Sequence, residues 1–131
     1  MVTSTPQSAK AKGRKFQQQL REDLIRELGI SPDNILSTAM GQGGCDLYLS
    51  PAARSVFPFG VEAKRCETLA IPAWWKQCEN NASKVGLIPL LVFKRNREEP
   101  LAVLRWTDLL ALLQQDHRWE NLAEGLTGGR T

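Results

Sequence analysis

Two short segments decide the fold that we expect: Cys45-Asp46-Leu47-Tyr48-Leu49 and Val61-Glu62-Ala63-Lys64. Apolar and polar residues alternate in both, which is typical of strands with one buried face. The alternation places Asp46 on one polar face, and it places Glu62 and Lys64 together on another. If the two strands pair as a hairpin-like ribbon, Asp46 can come within a few ångströms of Glu62, which is the geometry that a shared metal requires.

This set of side chains has a chemical interpretation. Two carboxylates can hold a hard cation such as Mg²⁺ that is shared with a substrate phosphate, and a lysine can orient an attacking water. Glu62-Ala63-Lys64 is the only Glu-x-Lys in the chain. The same spacing is also typical of a solvated strand face with an ion pair, so both interpretations stay open at this point.

Length and composition limit the possible classes. A chain of 131 residues with 42% hydrophobic and 24% charged residues is typical of one globular domain. No apolar run approaches the roughly 18 residues of a membrane span, and the first fifteen residues lack the apolar core of a signal peptide. Three cysteines without paired spacing favour a reducing compartment. We therefore expect a cytoplasmic protein without membrane association.

The net charge of +3 is modest, but its distribution is uneven. Basic residues gather in the N-terminal segment and in a turn after an apolar run, where they could neutralise DNA phosphates without reading sequence. A glycine-rich segment before Cys45 could approach the same backbone closely. The alternative is a solubilising tail with a charged hairpin. The residues expected to contact nucleic acid are Lys10, Lys12, Arg14, Lys15, Gly43, Gly44, Arg95 and Arg97.

The first helix is predicted by apolar residues at every fourth position, Phe16, Leu20, Leu24 and Leu28, followed by a glycine. Gln17 is the polar residue on its buried side. Residues 1–12 are rich in Ser, Thr, Pro, Gln and Lys, and we expect a disordered basic arm there. A single domain is expected over residues 13–131, with a frayed tail from about residue 120.

Further elements follow from turn signals. Residues 72–84 predict a second helix, because Pro72 suits a first turn and Gly86 a helix end. Residues 87–94 and 100–106 predict two strands paired through a basic turn. Thr107 is expected to cap a short final helix over residues 108–115.

With these residues in place, the chain resembles the PD-(D/E)XK nuclease superfamily, in particular archaeal-type Holliday junction resolvases and the short resolvase-like nucleases of phages. The resemblance covers about residues 12–106. It rests on four motifs in the right order: Lys12-Gly13-Arg14, Gly41-Gln42-Gly43-Gly44-Cys45-Asp46-Leu47, Val61-Glu62-Ala63-Lys64 and Pro89-Leu90-Leu91-Val92-Phe93-Lys94. It implies an α/β fold with a restriction-endonuclease-like core, in which helices flank a central mixed β-sheet.

The resemblance also implies roles for individual residues. The residues implied in catalysis are Asp46, Glu62, Lys64 and Gln77. Asp46, Glu62 and the Ala63 carbonyl would bind Mg²⁺, for which Mn²⁺ would substitute. Resolvases carry a further metal-binding glutamate on the first helix, and this chain has Gln17 there; its amide oxygen can bind a cation but adds no charge.

The expected function is that of a Mg²⁺-dependent DNA endonuclease selective for branched structures, working as a homodimer because a two-fold protein matches a two-fold junction. A phage origin within a bacterial host is suggested by the likeness alone. The alternatives are a nicking, restriction-like or homing-type enzyme that cuts duplex DNA, and an inactive nucleic-acid-binding module. Zinc binding and a Ser or Cys hydrolase triad are not supported, because Cys45, Cys66, Cys78 and His117 match no such motif.

Overall fold

A computed structural model describes residues 5–38 and 44–115 of the chain. The elements are, in chain order, α1 (Pro6–Leu28), a 3₁₀ turn (Pro32–Asn34), β1 (Ile35–Ser37), β2 (Leu47–Leu49), α2 (Pro51–Val56), β3 (Phe59–Arg65), α3 (Ile71–Lys84), β4 (Ile88–Lys94), β5 (Leu101–Val103) and α4 (Trp106–Gln115). Strands β1 and β2 form an antiparallel pair. In the second sheet β3 is parallel to β4, which is antiparallel to β5. The predicted α/β class, with a mixed sheet flanked by helices, is confirmed.

The sheets and helices enclose two apolar clusters. One lies beneath α1 and contains Phe16, Ile35, Leu47 and Val61 together with their neighbours. The other lies between α3 and the second sheet and is centred on Cys78, Leu91 and Phe93. Strand β3 is buried over its first four residues, as expected for a strand covered on both faces. The strand therefore holds its side chains at fixed positions against α1 and α3.

The N-terminal segment differs from the prediction. We expected residues 1–12 to be disordered, but α1 begins at Pro6. Thr5 explains the early start, because its hydroxyl accepts a hydrogen bond from the Ser8 N–H at 3.0 Å and a proline occupies the first helical position. The predicted end is confirmed: Gly29 adopts φ +67° and donates its N–H to the Ile25 carbonyl. Residues 1–4 and the predicted frayed tail from about residue 120 lie outside the described residues.

The pairing of the first strands also differs from the prediction. Strand β2 begins at Leu47, so Asp46 precedes it, and β2 pairs with β1 and not as a ribbon with β3. The sequence prediction did not include β1 or α2. The predicted second helix and the β4–β5 pair are confirmed, although β5 covers only Leu101–Val103. Thr107 was wrong as a cap because α4 already begins at Trp106. Among the described residues, no helix is long and apolar enough to cross a membrane.

Gly60 lets α3 pack directly on β3. A Cβ atom at this position would lie 2.8 Å from the Ala82 Cβ and 3.0 Å from the Cys45 Sγ. Such distances are below van der Waals contact, so any side chain here would push the helix or the Cys45 segment away from the strand.

We expect Gly60→Ala to lower the free energy of unfolding by about 1–3 kcal/mol through overpacking. Urea denaturation followed by circular dichroism measures the loss. Gly29→Ala is the matched control, because a Cβ there meets no atom within 4 Å and only the left-handed backbone at φ +67° opposes it; we expect about 1 kcal/mol. Equal stability of Gly60→Ala and the wild type would contradict the close packing.

Candidate active site

Asp46 is tied to β3 by two hydrogen bonds. Its backbone N–H donates to the Val61 carbonyl at 2.9 Å, and its carboxylate Oδ2 accepts from the Ala63 N–H at 2.7 Å. Thr38 contacts the same segment, since its hydroxyl donates to the Cys45 and Asp46 carbonyls at 3.0 and 3.1 Å. The carboxylate is thus fixed beside β3, although the two strands do not form the ribbon expected from the sequence.

Glu62 points its carboxylate into the same region. Its side chain lines the same cavity as that of Asp46, and the residue is only 3% exposed. Oε1 accepts a hydrogen bond from the Asn81 amide at 3.3 Å, and Oε2 lies 3.6 Å from the Lys64 ammonium. The structure therefore brings together the three side chains that the sequence singled out.

Lys64 is oriented by Gln77. Its ammonium donates to the Gln77 amide oxygen at 3.0 Å. Asn81 follows Gln77 by four residues, so α3 presents two amides one turn apart, one holding Lys64 and the other Glu62. Sequence reasoning missed Asn81, although its spacing from Gln77 on a predicted helix was a usable signal.

Gln17 lies in the wall of the same site. It is 3% exposed, and its amide oxygen accepts a hydrogen bond from the Ser37 hydroxyl at 2.9 Å. Ser37 belongs to β1, which the sequence did not predict, so this contact was not foreseen. The pair connects α1 to the first sheet beside the carboxylates.

A cavity of about 540 Å³ opens above these groups. Its walls come from α1 and α3, its floor from β3, and Gly44 lies at one side. Gly44 adopts φ +100°, a backbone conformation that favours glycine. Gly43, which we expected to contact nucleic acid, lies outside the described residues.

The two carboxylates are electrostatically strained. Burial and the adjacent Asp46 raise the pKa of Glu62 to about 7, and neither the nearby Lys64 nor Asn81 offsets this effect. Burial also raises the pKa of Asp46, against the opposing effect of its hydrogen bond from Ala63. Lys64 alone thus does not compensate the negative charges of the buried Glu62 and the half-buried Asp46.

The Ala63 carbonyl faces the same side as the Asp46 carboxylate. The N–H and C=O of one strand residue point to the same strand edge, and the Ala63 N–H points to Asp46. The Val61 carbonyl, two residues earlier, has the same direction because it accepts from Asp46. In residues 5–38 and 44–115 no group of three or more His, Cys, Asp or Glu side chains could hold a metal ion. Any cation at this site would therefore need oxygen atoms besides the two carboxylates.

The basic residues that we expected to contact nucleic acid lie in separate parts of the structure. Arg14 and Lys15 are exposed on α1, as is Lys10, while Lys12 borders a smaller cavity of about 230 Å³ next to Arg65. Arg95 is not a free cation, because its guanidinium lies 2.7 Å from the Glu98 carboxylate. Arg97 is exposed in the same turn, with φ +61°.

One family model matches the chain. Its description is "Phage putative PDDEXK endonuclease", and the match covers residues 8–124. No curated protein and no solved structure matches the chain. The matched residues include Asp46, Glu62 and Lys64, and therefore the whole constellation described above.

The raised pKa of Glu62 predicts how the stability of the metal-free protein depends on pH. The carboxyl binds its proton more tightly in the folded than in the unfolded chain, so its contribution to stability is present at low pH and is lost as the pH rises through about 7. In EDTA, we expect the melting temperature of the wild type relative to Glu62→Gln to fall by several degrees between pH 5 and pH 8.

Glu99→Gln, which alters an exposed carboxylate, serves as the control and should show no such pH-dependent difference. Differential scanning calorimetry gives all three curves. A difference between the wild type and Glu62→Gln that stays constant over this range would show that burial does not hold the proton on Glu62.

Proposed function

The chain belongs to the phage PDDEXK endonuclease family, and we propose that it is a Mg²⁺-dependent enzyme that hydrolyses phosphodiester bonds in branched DNA such as a four-way junction. The observation that carries the proposal is the convergence of Asp46, Glu62 and Lys64 on one cavity, with the Glu62 carboxylate buried and Asp46 half-buried beside it. A structural ion pair between Glu62 and Lys64 would not require a second carboxylate beside the buried one.

The donor set fits a divalent cation. Two adjacent carboxylates with raised pKa values are stabilised as ions when a cation lies between them. Asp46, Glu62 and the Ala63 carbonyl would bind it, with Gln17 as a further oxygen donor or as the holder of a bound water. Bound Mg²⁺ would supply a Lewis acid to the scissile phosphate and acidify a water, and Mn²⁺ would substitute.

The remaining groups position the reaction. Lys64 would orient the attacking water or stabilise the charge that develops on the phosphate. The Lys64 ammonium is held by its hydrogen bond to the Gln77 amide oxygen, at 3.0 Å. Asn81 fixes one oxygen of Glu62, so the other oxygen faces Lys64. These side chains belong to adjoining elements that pack tightly, which is the preorganisation a catalytic site needs.

Binding of DNA would rest on charge and shape. Lys10, Lys12, Arg14 and Lys15 lie on the N-terminal half of α1, whose residues Ala9 and Gly13 border the cavity. They would neutralise phosphates on the strand that leads into the site. Arg97 would contact phosphates further away, whereas Arg95 would first have to leave Glu98. The alternatives from the sequence, a nuclease for unbranched duplex and an inactive binding module, are distinguished by the cleavage test.

The main prediction concerns cleavage. With Mg²⁺ or Mn²⁺, the wild type should cut a four-way junction faster than a duplex of the same sequence, and EDTA should abolish the reaction. Asp46→Asn and Lys64→Met should lower the rate on the order of 10²–10⁴-fold, because each removes a charged group from the site without changing its size much.

Glu22→Gln is the matched control for charge, because Glu22 lies on the exposed face of α1 and should leave the rate unchanged. Gel analysis of labelled substrates measures the rates, and electrophoretic shifts measure binding. Faster cutting of duplex would support the duplex nuclease, and binding without cleavage would support the inactive module. Full activity of Asp46→Asn or Lys64→Met would refute the assignment of the site.

We also propose that the active form is a homodimer. A four-way junction has two symmetric strands to cut, and a two-fold protein presents one site to each. Multi-angle light scattering of the purified chain should give a mass near twice 14.6 kDa at micromolar concentration. A monomer mass without DNA, together with a junction complex whose mass corresponds to one chain per junction, would exclude the dimer.

A further inference from the structure

We infer that Trp74 stacks on the base of an unpaired nucleotide next to the scissile phosphate, so that the cavity accepts single-stranded, flapped or splayed DNA. This inference rests on the proposed nuclease function and names the substrate feature that the site selects. Trp74 lines the cavity together with Asp46, Glu62, Lys64 and Gln77. Among the described lining residues it is the only aromatic one.

The shape of the cavity favours one flat group opposite the ring. Trp74 belongs to the α3 wall, whereas α1 contributes Ala9 and Gly13, which fill little space. The volume of about 540 Å³ lies in the range of pockets that enclose a small organic ligand. One nucleotide fits such a volume, and a double helix does not.

The position of the carboxylates points in the same direction. Glu62 is 3% exposed, so a phosphate can reach it only by entering the cavity. Bases in a duplex present only their edges to a protein, because both faces are covered by neighbouring bases. A base can meet the ring of Trp74 only after it leaves the stack, which is already the case at a flap or a branch point.

Trp74 is preorganised for stacking. Its ring is partly buried and packs against Phe93 of β4, with centroids 6.1 Å apart and planes tilted by 47°. Gln77 follows three residues later on the same helix and holds Lys64, so the ring and the ammonium are fixed relative to each other. A rigid aromatic ring binds a base at low cost in conformational entropy.

The other described tryptophans have different surroundings. Trp75 lies under the Arg105 guanidinium, 5.9 Å from the ring centroid, and Arg105 is in turn paired with Glu79. Trp106 is 70% exposed at the start of α4 and does not line the cavity. Trp106 is therefore a suitable control residue for an aromatic substitution.

The first experiment measures binding without cleavage, in Asp46→Asn protein with fluorescent oligonucleotides. The probes are a blunt duplex and the same duplex with a single-stranded flap. We expect tighter binding of the flap, and we expect Trp74→Leu to reduce this preference about tenfold, within the factor of roughly 5–150 that one base–aromatic stack provides. Trp106→Leu should keep the preference.

Two results would overturn the inference: no preference for the flap in the parent protein, or an equal loss of duplex and flap binding in Trp74→Leu. Trp74→Phe, which keeps an aromatic ring in the packing with Phe93, should retain part of the preference. Melting curves of each variant show whether a loss reflects unfolding.

The second experiment needs no substitution. Wild-type protein in EDTA is irradiated with a flap that carries 5-iodouracil at the branch nucleotide, and the modified residue within each tryptic peptide is located by tandem mass spectrometry. We expect the adduct on Trp74, within the peptide from Cys66 to Lys76. An adduct on Trp106, on Trp75 or on α1 residues, or no adduct at all, would overturn the inference. The outcome is independent of cleavage: a chain that stacks the base but does not cut would refute the nuclease proposal alone.

Discussion

Two hydrogen bonds between Asp46 and β3 hold the Asp46 segment against the strand that carries Glu62 and Lys64. The Asp46 N–H binds the Val61 carbonyl, and the Asp46 carboxylate binds the Ala63 N–H. Outside these contacts, the first sheet is a separate antiparallel pair. The carboxylate is therefore a structural acceptor as well as a proposed metal ligand. Its bond to Ala63 also directs the Ala63 carbonyl to the same edge of the strand.

Withdrawing two adjacent carboxylates from water is unfavourable, and several neighbouring groups partly offset the effect. Hydrogen bonds from Ala63 and Asn81 and the charge of Lys64 favour the ionised forms, but burial has the larger effect. The close packing at Gly60 keeps α3 near enough to β3 for Asn81 and Gln77 to reach their partners. The strain thus persists because the surrounding packing fixes it, as is common at functional sites.

The sequence predicted the parts of the fold that have strong local signals. α1 has an apolar residue at every fourth position and a glycine at its end. α3 has a proline in its first turn and a glycine shortly after its last residue. Strand β1 has only three residues and exists through its pairing with β2, so no local pattern could reveal it. The N-terminal extension of α1 was obscured by polar composition, although Thr5 and Pro6 carry a capping signal.

The same distinction holds for the candidate site. Asp46, Glu62 and Lys64 could be found from spacing and motif order, whereas the roles of Asn81 and Ser37 depend on how α3 and β1 pack. Gln17 illustrates the point most clearly. A glutamate there would place a third carboxylate beside two that burial already disfavours, and no further cation lies among the described partners of Glu62. A neutral amide that accepts the Ser37 hydroxyl keeps an oxygen at the cavity wall without adding charge, so the folded chain tolerates the site before any cation binds.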